Sequence, residues 1–273
     1  MKLAVLQMTS GIDPDANADV LVAAAAEAAA GGAAMLFTPE MSGLLDGDAS
    51  RADRHIVAEH EDRVLTRTCE AARDAGIWIH LGSLAVRSEG ETRWANRGFV
   101  IDDRGVVVAR YDKMHLFDVD LASGESWRES SRYVAGEGPV TVDTPVGKLG
   151  LSICYDVRFP VLYQAMSGEG ATILAVPAAF TVPTGRDHWH VLLRARAVEN
   201  AAFVVAAAQT GRHQDGRQTY GHSLVIDPWG NVMLDMGDAP GIGFVEIDPS
   251  QIDEVRRRIP VLRHRRAIEA VAA

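Results

Sequence analysis

Hydrophobic and polar positions in this chain switch repeatedly between a short apolar run and a helical period. Leu3–Met8 reads as a strand, and the Ala-rich stretch Pro14–Ala30, closed by Gly31-Gly32, predicts a helix. Ala34–Thr38 is a second short apolar strand that delivers Pro39-Glu40. Glu61–Asp74 carries Val64, Leu65, Thr68 and Ala72 at helical spacing and stops before Gly76, and Ile77–Val86 follows as a strand. Arg93–Ile101 and Val106–Tyr111 flank Asp102-Asp103-Arg104-Gly105, a hairpin signal.

The second half repeats the alternation. Val140–Asp143 and Lys148–Ile153 surround a turn at Pro145-Val146-Gly147. Val161–Ser167 reads as a helix, Ala171–Val176 as a strand, and Asp187–Ala201 as a helix capped by Asp187. Phe203–Gln209, Ser223–Asp227 and Gly243–Ile247 read as strands, with a turn at Pro228-Trp229-Gly230-Asn231, and Gln251–Arg258 as a closing helix. Two halves of this kind predict an α/β fold of two sheets face to face with helices outside. No Ser/Gly/Pro linker divides the chain, so residues 1–273 are expected to form one domain. Two segments, Met41–His60 and His115–Pro139, read as long loops, which in a compact domain often carry function.

Composition narrows the classes. Thirty-seven acidic against 27 basic residues leave a formal charge of −10, which disfavours nucleic acid and anionic membranes as partners. No apolar stretch approaches the length of a membrane span, and the apolar start is too short for a signal peptide. Only Cys69 and Cys154 are present, too few for a disulfide framework, so a reducing, cytoplasmic setting is expected.

Cys154 is the candidate reactive centre. It follows the apolar run Leu149–Ile153 and precedes a polar turn ending in Pro160, which can open a helix. A cysteine on a sharp strand-to-helix turn has free backbone N–H groups beside it, a placement that suits attack on a carbonyl. The competing reading is a buried structural cysteine, as expected for Cys69. Glu40, Lys113 and Glu129 favour the reactive one. A thiol with a pKa of about 8.5 needs a base, and Glu40 can serve. An ammonium such as Lys113 favours the thiolate and stabilises an oxyanion together with the Tyr155 N–H.

Three segments then resemble a known family. Thr38-Pro39-Glu40, Tyr111–Asp118 (Tyr-Asp-Lys-Met-His-Leu-Phe-Asp) and Ser152–Pro160 (Ser-Ile-Cys-Tyr-Asp-Val-Arg-Phe-Pro) are similar to the three signatures of the nitrilase superfamily of carbon–nitrogen hydrolases. The resemblance implies a four-layer α-β-β-α sandwich, extended to eight layers in an isologous homodimer or a higher homo-oligomer. It implies a Glu40–Lys113–Cys154 triad, a second glutamate at Glu129 that orders substrate and water, and no cofactor or metal. Arg194–Asn200, Ala206–His213 with Gln209, Gly211, Arg212 and His213, then Tyr220–Ser223 and Asp227–Gly230 resemble the branch containing deaminated-glutathione amidases. The sibling branch of ω-amidases, acting on α-ketoglutaramate and α-ketosuccinamate, lacks the pattern at Gln209–His213. The tail after His264-Arg265-Arg266 departs from the family's frequent Pro-Asp-x-Tyr ending.

The expected reaction is hydrolysis of the amide of a small carboxylate-bearing molecule through a thioester on Cys154, with ammonia leaving. Tyr155, Phe180, Thr181 and Arg212 are candidates to shape the substrate pocket. An amide-forming or acyl-transferring relative would pass the same thioester to an amine, and an idle binding scaffold would not need the four catalytic residues. His188 and His190 suggest a metal, but they alternate on a predicted helix and no third ligand is evident. A Cys-His protease would leave Glu40 and Lys113 unexplained. The arginines at 256–258, 263, 265 and 266 suit a subunit contact or a helix C-terminus better than nucleic acid.

Overall fold

A computed structural model of the chain describes residues 1–266 except 89, 91, 121–123 and 125. The departing tail, residues 267–273, lies outside the described residues. The strand Lys2–Gln7 pairs antiparallel with Gly241–Glu246 and parallel with Met35–Phe37, which runs parallel to Trp78–Arg87. Trp94–Ile101 and Val107–Asp112 then add antiparallel, and Tyr133–Val134 joins Trp94–Ile101. The second sheet runs Val232–Asp235, Leu224–Ile226, Phe203–Ala206, Ile173–Ala175, Gly147–Leu151, Val140–Thr144, with its three middle strands parallel.

Side-chain alternation along the strands builds the layers. Leu3, Val5, Met35 and Phe37 belong to one apolar cluster with Leu149, Leu151, Ile173 and Ala175 of the other sheet. Their neighbours Ala4, Leu6 and Leu36 instead pack with Leu21, Ala25 and Ala28 of the helix Pro14–Ala30, and with Val64, Leu65 and Ala72 of the helix Arg63–Ala75. On the far side Leu162, Tyr163 and Met166 of the helix Pro160–Gly168, and Leu193 and Ala197 of His190–Asn200, cover the second sheet. The result is the four-layer α-β-β-α sandwich expected. Asp13 caps Pro14–Ala30 through the Asp15 N–H and Asp62 caps Arg63–Ala75 through the Leu65 N–H, and Gly76 ends the latter with a left-handed φ of 62°.

Several details differ from the reading of the sequence. Asp187 does not cap a helix: the chain is already helical at Val182–Thr184 and passes through a π-type turn, Gly185–Trp189, before His190–Asn200. Phe203–Ala206 ends early, and Thr210–Arg212 pairs with Gln218–Tyr220 in a separate hairpin. The strand Val232–Asp235 went unpredicted because its side chains are all partly or fully exposed and carry no alternation. The long segment His115–Pro139 holds a two-stranded hairpin, Asp118–Asp120 with Ser126–Arg128. Of the basic residues near the end, two reach the ends of the outer helices. Arg256 donates to the carbonyls of Ala201 and Ala171, and Arg265 to that of Gln164 and to Asn200 Oδ1.

The strand Trp78–Arg87 carries the irregularity that matters most. Its register with Trp94–Ile101 shifts between Leu81 and Leu84. The Gly82 N–H there donates to Thr38 Oγ1 at 3.0 Å, and Ser83 receives the N–H groups of Met41 and Ser42. A Cβ on Gly82 would meet the Thr38 carbonyl at 2.2 Å and the Pro39 carbonyl at 2.5 Å. The bare backbone therefore lets the strand grip the segment that presents Glu40. Gly82→Ala should lower stability by about 1–3 kcal/mol through overpacking. Gly138→Ala, where a Cβ would meet nothing within 4 Å, should stay within about 0.5 kcal/mol of the parent. Urea unfolding midpoints of the two variants check the difference, and equal midpoints would refute the close-packing account.

Candidate active site

Each reactive side chain leaves a different strand at the same end of the sandwich. Glu40 follows Met35–Phe37, and Asn96 lies in Trp94–Ile101. Lys113 follows Val107–Asp112, and Cys154 follows Gly147–Leu151. Glu129 opens a 3₁₀ turn, Glu129–Ser131, directly after the hairpin strand Ser126–Arg128. Met41 and Cys154 hold left-handed φ values of 57° and 51°, uncommon for residues with a Cβ. At Cys154 the sharp expected turn is thus real. Its N–H donates to the Pro177 carbonyl at 2.8 Å, pinning it to the neighbouring strand end. Tyr155 stands in the first turn of the 3₁₀ segment Cys154–Arg158, where N–H groups lack acceptors within the helix.

Lys113 ties the group together. Its Nζ donates to Glu40 Oε1 at 2.9 Å and to both Glu129 oxygens at 3.0 and 2.9 Å. Asn96 Nδ2 reaches the same two carboxylates at 3.0 and 3.2 Å. Backbone N–H groups add to the second oxygen of each carboxylate: Ala179 on Glu40 Oε2 at 2.9 Å, Phe117 on Glu129 Oε2 at 2.6 Å. Gln209 holds the Glu40 backbone, donating to its carbonyl at 2.9 Å. Behind the cysteine, the fully buried Asp156 carboxylate accepts from Tyr111 Oη, from the Ile153 N–H and from the His115 N–H. It thereby locks the turn at Cys154 to the segment just after Lys113.

The electrostatics follow from burial and these partners. Burial works to raise the Glu40 carboxyl, but the charge and hydrogen bond of Lys113 hold it below its ordinary value. Burial works to depress the Lys113 ammonium, but Glu129 and Glu40 hold it well above its ordinary value. Burial, reinforced by the Glu40 charge, pushes the Cys154 thiol well up, against the pull of Lys113 and the Ala179 N–H. At neutral pH the centre is therefore an ammonium, a Glu40 carboxylate and a neutral thiol. The pull of Lys113 toward the thiolate is outweighed by the enclosing medium and the adjoining carboxylate, so the thiol depends on a base, the part the sequence reading gives to Glu40.

Glu40, Lys113, Glu129 and Cys154 line one cavity of about 460 Å³ together with Tyr155, Phe180 and Thr181. Arg212 does not belong to it. That residue lies exposed on the outgoing strand of the hairpin, paired with Gln218, whereas Arg217 on the returning side lines the cavity. Asn96, Trp127 and Arg217 were missed. Asn96 is the kind of isolated amide inside an apolar strand that can be flagged from sequence, while nothing local distinguishes Arg217. His188 and His190 diverge as expected: His188 meets Arg158, and His190 meets Asp235. The structure does supply His190 with two further ligand-type groups, His222 and Asp235, all within 4.8 Å.

Similarity to known proteins agrees with this geometry. Residues 2–257 match the carbon-nitrogen hydrolase family. A deaminated glutathione amidase of Yersinia enterocolitica is 42% identical over 243 residues, covering 88% of this chain and 84% of that protein. The human protein of that name is 40% identical over 270 residues, covering 97% of this chain and 82% of its own length. The crystal structure of the C. elegans NitFhit protein superposes with a TM-score of 0.90 at 40% identity, spanning 97% of this chain and 65% of that longer one. A variant of an amidase from Nesterenkonia sp. AN1, with acrylamide added to its active-site cysteine, is 30% identical with a TM-score of 0.80, covering 95% and 98%. With the sandwich, the buried acid–lysine–cysteine centre and these likenesses together, the chain belongs to the carbon–nitrogen hydrolase family of the nitrilase superfamily and is a hydrolase of the amidase type.

Proposed function

We propose that the chain hydrolyses deaminated glutathione through a thioester on Cys154. The observation that carries the chemistry is Lys113 clamped between Glu40 and Glu129 in the cavity that holds the thiol. As Sγ attacks the amide carbonyl, its proton passes to Glu40 and the C=O electrons become an oxyanion. Lys113 and the Tyr155 N–H stabilise that oxyanion. Collapse breaks the C–N bond, and Glu40 returns the proton to the departing amine. Water, oriented by Glu129 and deprotonated by Glu40, attacks the thioester and releases the acid, and the sulfur regains its proton.

The substrate reading rests on the relatives of that name and on room beside the site. The ammonia expected from the sequence would come from a primary amide, whereas cleaving either amide bond of deaminated glutathione frees a larger, amino-acid or dipeptide amine. A second cavity of about 620 Å³ adjoins the catalytic one and shares Gly47, Trp127, Thr181 and Arg217 with it, so the site is roomier than a small primary amide needs. Free Cys69 and Cys154 accord with a reducing compartment such as the cytoplasm. Among the described residues no helix is long and apolar enough to cross a membrane. A homodimer through the outer helices is supported by Val161, Val191 and Val198, which stand 73%, 63% and 50% exposed there.

Specificity constants for deaminated glutathione, α-ketoglutaramate and simple amides test the substrate. Deaminated glutathione should lead, and a lead by α-ketoglutaramate would make the chain an ω-amidase. Transfer of the acyl group to an added amine would make it a transferase. Cys154→Ala should abolish turnover with an unchanged melting temperature, and Glu40→Gln or Lys113→Met should each cost about 10²–10⁴-fold in kcat. Full activity in any of the three removes its assigned role. Activity needs Glu40 ionised and Lys113 protonated. Since Glu40 titrates below its ordinary 4.5 and Lys113 well above its ordinary 10.5, kcat/KM should stay level through neutrality and fall in acid only below 4.5 and in alkali only above 10.5. An acid limb centred near neutral pH would contradict the base assignment. Sedimentation should give a dimer mass, and Val191→Glu with Val198→Glu should yield monomers; a parent monomer refutes the dimer.

A further inference from the structure

Among the described residues, three buried side-chain polar atoms have no hydrogen-bond partner: Asn96 Oδ1, Trp127 Nε1 and Arg217 Nε. All three residues line the catalytic cavity. Buried polar atoms are ordinarily paired, because an unpaired one forfeits its hydration without return. Their coincidence in one cavity points to partners supplied from inside that cavity.

Two of the three are donors and lie together. The Arg217 guanidinium carbon sits 4.7 Å from the centroid of the Trp127 ring. Stacking on an aromatic face leaves the guanidinium edge, with its N–H groups, open to an acceptor. Arg217 is only weakly neutralised: its nearest carboxylate, Asp215 Oδ2, is 3.5 Å away and already takes the Gly47 N–H at 2.8 Å. Its backbone is held as well. The His213 N–H donates to the Arg217 carbonyl at 2.8 Å, and the buried His213 ring bridges the Ser10 carbonyl and Thr219 Oγ1. Arg132, donating to the Gly47 carbonyl at 3.2 Å, brings a second guanidinium to the same end of the cavity. Trp127 and Arg217 also border the second cavity, which none of the four catalytic residues lines, so this wall stands at the end away from Cys154.

We propose that Arg217 and Trp127 form an anion subsite that holds the carboxylate at the far end of the acyl chain while Cys154 attacks the amide. The inference builds on the amidase reading and assigns the residues that would read the distal carboxylate of its acyl half. Deaminated glutathione and the ω-amides of α-keto dicarboxylates share such an acyl half. The anion favours both donors at once, and a planar guanidinium matches a carboxylate with two parallel hydrogen bonds.

Glutaramate and pentanamide test this, since they differ in a carboxylate against a methyl at the far end of an otherwise equal chain. The parent should prefer glutaramate in kcat/KM. Arg217→Gln should lower that preference by about tenfold or more, chiefly through KM, and Trp127→Phe, which keeps the ring and removes the N–H, by a smaller factor. An unchanged preference in both variants overturns the subsite. Glutarate binding to Cys154→Ala, followed by calorimetry, gives a readout without turnover, and adding Arg217→Gln should weaken it by about the same factor. Equal glutarate affinity with and without Arg217 sinks the subsite even if catalysis stands. Arg217-dependent binding without hydrolysis of any amide keeps the subsite and sinks the amidase reading instead.

Discussion

A single buried ammonium organises this molecule. Lys113 is 2% exposed and faces two carboxyl groups, so a single ammonium cannot satisfy both alone. Burying ions in this way is costly, and removing one partner from such a set costs more than the set gains, because a bare charge is left behind. The surrounding donors meet that demand. Asn96 spans both carboxylates, and the Ala179 and Phe117 N–H groups take one oxygen each. Every donor comes from a different element, so satisfying the charge requires the strand ends of both sheets and the hairpin after Lys113 to be in place together.

The site therefore sits on a seam. Glu40, Asn96 and Lys113 belong to one sheet, Cys154 and Ala179 to the end of the other. The seam is closed by backbone, with the Thr210 N–H donating to the Met8 carbonyl at 2.9 Å, and by the Asp156 carboxylate beneath Cys154. Gly82 lets the Glu40 segment lie flat against its neighbour, and Gln209 fastens it from the opposite sheet's strand extension. A side-chain centre assembled this way inherits its precision from main-chain contacts rather than from the reactive residues themselves.

This explains which parts could be read from the sequence. Strands such as Lys2–Gln7 are buried on both faces, so their apolar runs announce them, and the helix Pro14–Ala30 appears with its bounds intact because a cap, a proline and a glycine pair punctuate it. Glu40, Lys113 and Cys154 stand at the ends of such strands, where motif and element coincide. Residues whose position depends on a hairpin register escape the same logic. Arg212 and Arg217 lie five positions apart in one turn, and only the pairing of Thr210–Arg212 with Gln218–Tyr220 decides which one turns toward the cavity. The charge state of Cys154 was equally out of reach, since it depends on how completely the thiol is enclosed.

That enclosed, neutral thiol has a consequence for how the protein lives with reactive chemistry. A permanently ionised cysteine would be open to any passing oxidant or electrophile, because the thiolate is the species they attack. In the proposed mechanism the sulfur stays protonated until a carbonyl arrives and the neighbouring carboxylate takes its proton. Under that mechanism the burial of Cys154 tempers its reactivity toward other electrophiles as well as serving the packing.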